Sequence, residues 1–385
     1  MRAEIEEQPA ALRATLDALL PLLPDVASVA RGTRQVLFIA RGSSDNAAVY
    51  GRYLVEVCCG RLGSLASPSV ATTYGGRLDL DGVLAVGLSQ SGRTREIVET
   101  LGWAAECGAR TVAVSNVAAS PLAEVAELAL ITEAGEEVAV PATKTYTTQL
   151  AALAVLALAM CPGDEVDRLV AELRHAPDEV EGALATAAAA EELADELTAV
   201  TGAVVSGRGF GFSAALELAL KLKEACYLHA IGLSYADLLH GPIAVVDEDT
   251  PAILVAPASG PTLSGMVAVA ERVTGAGAKA YGIGGDGRLA TACTRTLPGT
   301  GLPEWLAPLG LVVPAQLLTE ALARRLDIDP DLPRGLGKVT QTDLFGDKQE
   351  DINGRSGGAY PRRARGSGQR DRDRAVHHPA PYRST

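Results

Sequence analysis

The sequence predicts an α/β fold with two tandem domains, each a parallel sheet covered by helices on both faces. Short runs rich in Val, Leu and Ile alternate with longer helical patterns, and these runs are apolar throughout rather than alternately apolar and polar. Strands of this kind are buried on both faces, as they are in parallel sheets flanked by helices. The chain has 385 residues, 48% of them hydrophobic, which is enough for two domain cores.

Seven apolar runs are predicted to be the main strands. They are VLFIA (36–40), VLAVGLS (83–89), TVAVSN (111–116) and LALIT (128–132) in the first half, then AVVSG (203–207), AILVAP (252–257) and AKAYGIG (278–284). Another short strand is expected at 243–246. Residues 212–228 have the apolar spacing of a helix, which would open the second domain.

The two halves of the chain resemble copies of one another. Three landmark dipeptides recur in the second half after 167, 168 and 169 residues: Arg41-Gly42 and Arg208-Gly209, Ser91-Gly92 and Ser259-Gly260, and Gly108-Ala109 and Gly277-Ala278. So constant a spacing predicts that the second domain repeats the first.

These patterns give a predicted order of segments. An N-terminal helical segment (1–24) precedes the first domain (25–165), and a helical linker (166–194) leads to the second domain (195–325). The segment that follows, 326–340, is expected to close the site. The last segment, 341–385, is rich in Arg, Gly, Pro and Ser, a composition that predicts disorder.

Charge and hydropathy indicate which classes of partner, and which cellular location, to expect. The formal net charge is −13, and residues 1–340 hold 25 Lys and Arg beside 41 Asp and Glu. Nucleic acid and membranes are therefore not expected as partners, because an acidic protein repels phosphate backbones and anionic lipid. The N-terminus lacks a signal-peptide pattern, and the longest apolar stretch, Leu150 to Cys161, is too short to span a membrane. We expect a cytoplasmic protein.

The cysteines give no indication of a metal or redox centre. All six lie in apolar patterns without CxxC spacing: Cys58, Cys59, Cys107, Cys161, Cys226 and Cys293. We expect buried free thiols rather than disulfides or zinc ligands. Neither a metal nor another cofactor is expected.

The strongest local signal is the hydroxyl-rich turn Ser89-Gln90-Ser91-Gly92-Arg93-Thr94, which lies between a strand and a helix. Main-chain N–H groups at a helix start, together with nearby hydroxyls, bind phosphate without needing a lysine. Ser43 and Ser44 follow the first strand and should reach the same edge of the sheet. The second copy has Phe210-Gly211 and residues 258–262 instead, with fewer hydroxyls. We expect one sugar phosphate per chain, in the first domain.

Three charged residues and a loop histidine are candidates for proton transfer. Glu217, Lys221 and Glu224 share one stripe of the predicted helix, as either a proton-shuttling group or a solvated ladder of ion pairs. His240 lies in a loop where its imidazole could face a site. Lys338, in a Gly-flanked segment, is either a surface residue or an amine able to reach a carbonyl substrate.

Taken together, these segments resemble the SIS (sugar isomerase) family, and in particular the isomerase portion of glucosamine-6-phosphate synthase, over about residues 4–340. The matching stretches are EIEEQPAALRATL (4–16), GSSDN (42–46), LSQSGRT (88–94), VPATKTYTTQL (140–150), ALELALKLKEACYLHA (215–230), LHGPIAVVD (239–247) and DIDPDLPRGLGKVT (327–340). The resemblance implies two tandem SIS domains.

The resemblance also implies roles for individual residues. Substrate and phosphate binding falls to Ser43, Ser44, Ser89, Gln90, Ser91, Thr94 and Val140. Glu224 would move the proton between C1 and C2 beside Lys221, His240 would assist ring opening, and Lys338 would lie over the open-chain sugar. In that family the histidine reaches the neighbouring chain's site, so a homodimer is implied.

The sequence also departs from the synthase pattern. The glutaminase domain and its N-terminal cysteine are not found, and position 2 is Arg, so glutamine is not expected as the nitrogen source for this chain alone. Arg41 replaces a small cysteine, Ala142 a serine, Ile231 a glutamate and Leu239 a lysine, which changes the rim of the pocket. In this respect the chain is similar to stand-alone glucosamine-6-phosphate deaminase-type SIS proteins.

The leading hypothesis is therefore an enzyme that interconverts the aldose and ketose forms of a hexosamine 6-phosphate and releases ammonia. Three alternatives stay open. The first is amination of fructose 6-phosphate with free ammonia or a partner glutaminase, and the second is a fructosamine-phosphate deglycase. The third is a sugar-phosphate sensor without turnover, although no helix-turn-helix segment precedes the first domain.

Overall fold

The computed structural model describes residues 1–161, 163 and 165–338, so the segment predicted to be disordered, 341–385, lies outside the described residues. The N-terminal helices and the first domain contain, in chain order, α1 (Arg2–Glu6), α2 (Gln8–Leu19), α3 (Leu23–Val29), β1 (Gln35–Ile39), α4 (Ser43–Val57), β2 (Leu62–Leu65), α5 (Ser69–Thr72), β3 (Val83–Leu88), α6 (Arg95–Glu106), β4 (Arg110–Ser115), α7 (Pro121–Val125), β5 (Leu128–Ile131) and α8 (Lys144–Met160).

Two helices then lead into the second domain, whose sheet has the same number of strands as the first. The elements are α9 (Val166–Ala183), α10 (Ala187–Leu197), β6 (Gly202–Gly207), α11 (Gly211–Cys226), β7 (His229–Ser234), α12 (Tyr235–Leu239), β8 (Ala252–Ala256), α13 (Leu263–Gly275), β9 (Ala280–Gly284), α14 (Gly287–Ala292), β10 (Arg295–Leu297) and α15 (Ala307–Arg325).

Each domain contains a five-stranded parallel sheet, which confirms the predicted fold class. The first sheet has the order β2-β1-β3-β4-β5, and the second, read from its opposite edge, has the equivalent order β7-β6-β8-β9-β10. The glycine after the first strand of each sheet, Gly42 or Gly209, has a φ of 59° in both cases, a conformation that favours glycine. The second domain therefore repeats the first in strand order and in this turn.

The strands that the sequence did not reveal are three at the edges of the sheets. β2 and β10 are short, and in all three strands most residues are half-buried or exposed, so they lack the continuous apolar run of the central strands. The prediction of a strand at 243–246 is wrong. Residues 243–245 fall in a 3₁₀ turn, Pro242–Val245, which begins after Gly241 at a φ of 138°.

One apolar core extends through both domains. Helices α8 and α15 are buried on nearly all sides, and α11 packs against both α15 and α4. Among the described residues, one stretch is long and apolar enough to cross a membrane, Glu304–Arg325, and all of it is buried inside the protein. Because α11 lies on α4, groups on both helices can meet at one site.

The cysteines are less buried than the sequence suggested. Cys226 and Cys293 are buried, but the other four are only half-buried. The Sγ atoms of Cys59 and Cys161 lie 3.1 Å apart as free thiols, where the ends of α4 and α8 meet. Helix ends are less covered than helix centres, which accounts for this exposure.

Candidate functional site

The hydroxyl-rich turn 89–94 and the start of α4 lie side by side because β1 and β3 are neighbouring strands. These strands pair in parallel up to Ile39 and Gly87, so both chains leave the sheet at the same edge. Helix α4 begins at Ser43, and α6 begins directly after Thr94. Two helix N-termini therefore face one region, and their main-chain N–H groups and dipoles favour an anion there.

Internal contacts hold the turn in shape. The Ser89 and Thr94 hydroxyl oxygens lie 3.3 Å apart, and the Ser91 hydroxyl accepts the Arg93 main-chain N–H at 3.2 Å. Gly92 has a φ of 62°, and a Cβ atom there would lie 2.2 Å from the Ser120 hydroxyl oxygen. Only glycine fits this position without moving the backbone.

A cavity of about 410 Å³ lies over this turn. Ten of the eleven residues that the sequence suggested for the site line the cavity: Ser43, Ser44, Ser89, Gln90, Ser91, Thr94, Val140, Lys221, Glu224 and Lys338. Its volume lies within the range that holds small-molecule ligands. The structure thus brings the two domains' candidate residues to one place, while their roles remain predictions.

The stripe of charges on α11 forms a buried cluster rather than a solvated ladder. The Lys221 ammonium is nearly inaccessible and lies 3.4 Å from a Glu217 oxygen and 2.5 Å from a Glu224 oxygen. Glu217 is fully buried and also accepts a hydrogen bond from the Asn46 amide at 2.8 Å. Glu224 keeps a quarter of its side chain exposed, at 24%, and faces the cavity.

Burial and charge act in opposite directions on this cluster. Burial raises the pKa of Glu217, and the Lys221 charge and the Asn46 hydrogen bond offset only part of that effect. Burial also acts to lower the pKa of Lys221, but the carboxylates of Glu217 and Glu224 outweigh it and leave that pKa raised. Lys221 is thus held as a cation beside the more exposed carboxylate of Glu224.

Glu137 is a cavity residue that the sequence did not suggest. Its buried carboxylate accepts hydrogen bonds from the main-chain N–H groups of Thr143 and Thr145 and from the Lys338 ammonium at 2.6 Å. Burial would raise the pKa of Glu137, but Lys338 and these donors leave it lowered. Its partner is 201 residues away, so no local pattern could have revealed it.

The segment after α15 crosses this edge of the site and carries Lys338 into the cavity. The Val140 main-chain N–H donates to the Asp331 carbonyl at 2.9 Å. The Arg334 main-chain N–H donates to the Tyr227 hydroxyl at 2.7 Å, and its guanidinium lies 4.2 Å from the centre of that ring. These contacts fix the last described residues over one side of the cavity.

His240 is the candidate that the structure does not bring to the cavity. It follows α12 and is exposed on the second domain. Its main-chain N–H donates to the Asp237 carbonyl, and the residue is not part of the cavity wall within this chain. The role of His240 in the site stays a prediction.

Two of the departures from the synthase pattern lie at the rim of the cavity. Arg41 lines it and forms a bidentate ion pair with Glu96, with both N···O distances 3.0 Å. Ala142 also lines the cavity. Among the described residues, no group of His, Cys, Asp and Glu is arranged to hold a metal ion.

Comparison with known proteins finds the same domain twice. The model of the family described as SIS domain matches residues 31–159 and again 196–319. The chain is 34% identical over 344 residues to the glutamine–fructose-6-phosphate aminotransferase (isomerizing) of Thermococcus kodakarensis. The matched region covers 88% of this chain and 57% of that protein. The chain thus spans little more than half the length of this relative.

Solved structures with similar folds match over nearly their whole length. A candidate phosphosugar isomerase from Silicibacter pomeroyi has a TM-score of 0.78 and 33% identity, covering 86% of this chain and 99% of that one. A glucosamine-6-phosphate deaminase from Thermotoga maritima has a TM-score of 0.72 and 24% identity, covering 88% and 98%. At that identity the second match shows the fold alone.

Proposed function

The chain belongs to the SIS domain family, and on that premise we propose that it isomerises a hexosamine 6-phosphate and releases ammonia. The observation that carries the proposal is the shared cavity. The hydroxyl-rich turn of the first domain and the Glu224 carboxylate of the second line the same 410 Å³ space. A sugar phosphate held at the turn would have its reactive carbons near a carboxylate.

The proposed chemistry uses the groups that line the cavity. The open-chain sugar carries an aldehyde at C1 and an amine at C2, and Glu224 removes the C2 proton and returns it to C1. The C1 oxygen gains the proton that the C2 amine loses, so the product is a C2 imine with a C1 hydroxyl. Water then hydrolyses the imine to the ketose phosphate and ammonia. The protonated Lys221, held beside Glu224, stabilises the negative charge that develops during transfer.

Lys338 and Val140 are proposed to position the sugar. The Lys338 ammonium is paired with Glu137, so we assign it the role of a fixed cation over the sugar oxygens. Val140 lines the wall on the same side.

We propose that His240 acts from a neighbouring chain in a homodimer. Ring opening needs a group that moves a proton to the ring oxygen, and His240 is exposed and lies outside its own chain's cavity. Mixing Glu224→Gln and His240→Asn chains tests this arrangement. Restored activity in the mixture supports a shared site, and a mixture as inactive as each parent contradicts it.

The second candidate function is the reverse reaction, the amination of fructose 6-phosphate. The observation that favours it is the 34% identity to an isomerizing aminotransferase. The same cavity and the same proton transfer would serve both directions. Assays of ammonia release and of ammonia-dependent hexosamine 6-phosphate formation with the purified chain separate the two.

The direct test is ammonia release from a panel of hexosamine and fructosamine 6-phosphates. We expect Glu224→Gln to lower kcat by roughly 10²–10⁴-fold, the usual contribution of a general acid–base group. Lys223→Gln is the matched control, because Lys223 is exposed on the same helix. Equal activity of Glu224→Gln and the unsubstituted protein contradicts the assignment, and binding without turnover across the panel favours a sensor.

A further inference from the structure

Two half-buried thiols lie in contact where the ends of α4 and α8 meet. The Sγ atom of Cys59 lies 3.1 Å from that of Cys161, although the two residues are 102 positions apart in the chain. Each thiol also lies 3.3 Å from a main-chain carbonyl oxygen, Cys59 from that of Ala157 and Cys161 from that of Cys58. The packing of α4 against α8 therefore holds the two sulfur atoms together.

The backbone around both thiols leaves room for a covalent bond between them. The sulfur atoms have to approach by about 1 Å to reach the bonded distance of a disulfide. Helix α4 ends at Val57 and α8 ends at Met160, so both cysteines lie beyond the last residue of their helix. A shift this small can come from side-chain rotation and from backbone outside the helices, so neither helix has to bend.

The two thiols are chemically unequal. Cys161 lines a cavity of about 250 Å³ beside the ends of the two helices, together with Cys58 and Trp305. A hydrogen bond from Cys59 lowers the pKa of the Cys161 thiol, and the Arg61 charge adds to this effect against the opposing effect of burial. The contact with Cys161 and burial raise the pKa of the Cys59 thiol. Cys161 is therefore the thiol that ionises first and that a small oxidant reaches.

We propose that Cys59 and Cys161 form a redox modification site, a thiol pair that hydrogen peroxide converts into a disulfide and that small thiols reduce again. The cysteines are free in the reduced protein described above. Where disulfides form in reducing compartments they are usually transient and respond to the oxidant present. The pair concerns the oxidation state of two sulfur atoms outside the candidate site, so it does not depend on the activity proposed above.

The oxidation takes two steps. The Cys161 thiolate attacks one peroxide oxygen, so an S–O bond forms, the O–O bond breaks, and the departing hydroxide takes up the proton that the Cys161 thiol lost. The Cys59 sulfur then attacks the sulfur of this sulfenic acid. The S–S bond forms, the S–O bond breaks, and the oxygen leaves as water with the Cys59 proton. Two thiols lose two electrons in all, and one hydrogen peroxide becomes two water molecules.

The disulfide joins the far ends of two helices whose near ends lie at the candidate site. Helix α4 begins with Ser43 and Ser44, and Val140 and Ala142 come just before α8, and all four residues line the cavity of about 410 Å³. A bond between residues 102 positions apart also restricts the unfolded chain strongly. The oxidised protein should therefore unfold at a higher temperature than the reduced one.

The test is oxidation of the purified chain with one equivalent of hydrogen peroxide, followed by alkylation and peptide mapping by mass spectrometry without reductant. We expect one cross-linked pair of peptides that contains Cys59 and Cys161, and the count of free thiols should fall from six to four. Dithiothreitol should restore all six thiols and the lower unfolding midpoint. Full alkylation of both cysteines after oxidation, or a Cys161 sulfinic acid beside a free Cys59, overturns the proposal.

Variants assign the bond, because Cys58 and Cys59 are adjacent and share one peptide. Cys59→Ala and Cys161→Ala should each abolish the cross-link and the rise in unfolding midpoint, and either variant is decisive if the other does not fold. Cys58→Ala should keep both. Cys107→Ala is the matched control and should also keep both, since Cys107 is a half-buried thiol at the end of α6. A cross-link that persists in Cys59→Ala contradicts the proposed pair.

Discussion

The two domains have one topology but contribute different parts of the site. In the first domain the turns after β1 and β3 are rich in hydroxyls and open into a cavity. In the second domain the turn after β8 holds the carboxylate of Glu304, and the helix that follows β6 supplies Lys221 and Glu224. A duplicated domain can thus bring different side chains to one cavity, because each copy keeps the backbone and changes the side chains.

Helices α4 and α11 show this division most clearly. Counted from the glycine before each helix, Glu217 and Lys221 of α11 correspond to Tyr50 and Leu54 of α4, and all four are almost completely buried. On α4 the positions are filled by apolar or aromatic packing. On α11 they hold an ion pair that the protein must desolvate, which costs stability unless every partner is present.

The largest predicted effect breaks this ion pair. Lys221→Met leaves Glu217 buried without its cation, so the free energy of unfolding should fall by about 3–5 kcal/mol. The double variant Glu217→Gln/Lys221→Met should recover most of that loss, making α11 resemble α4. Urea unfolding at pH 7 measures both, with the exposed Lys223→Met as the control. A double variant no more stable than Lys221→Met would contradict the assignment of a buried ion pair.

A matched pair of serines compares the two turns directly. Removing a hydrogen bond to a charged group costs about 1.5–3 kcal/mol, so Ser91→Ala should raise KM for a phosphorylated substrate roughly 10–100-fold, with kcat largely kept. Ser259→Ala, at the repeated position, should leave KM unchanged. Steady-state kinetics of the two variants measure both KM and kcat. Equal KM values for Ser91→Ala and the unsubstituted protein would show that this hydroxyl does not bind the phosphate.

The smallest predicted effect concerns Lys338 and depends on pH. The pKa of Glu137 is lowered in the folded protein, so its contribution to stability is present above its unfolded pKa and is lost as pH falls through the lower, folded value. Lys338→Met should therefore cost about 1–2 kcal/mol at pH 7 and progressively less in acid, as Glu137 becomes protonated. Urea unfolding between pH 3 and pH 7 measures this trend. A cost that does not change with pH would rule out the pair with Glu137 as its cause.

The sequence predicted the central strands and the hydroxyl-rich turn because both depend on neighbouring residues. A continuous apolar run indicates a buried strand, and the turn 89–94 carries its own hydroxyls and glycine. The edge strands β2, β7 and β10 are partly exposed, so they lack that pattern. The positions of Glu137 and Glu304 depend on partners far along the chain, which local patterns do not encode.

The most direct test is a crystal structure of the Glu224→Gln protein with a bound hexosamine 6-phosphate. The phosphoryl group should contact Ser89, Ser91 and Thr94, with C1 and C2 of the sugar within hydrogen-bonding reach of residue 224. A ligand found in a different cleft, with the 89–94 turn empty, would contradict the account of both domains.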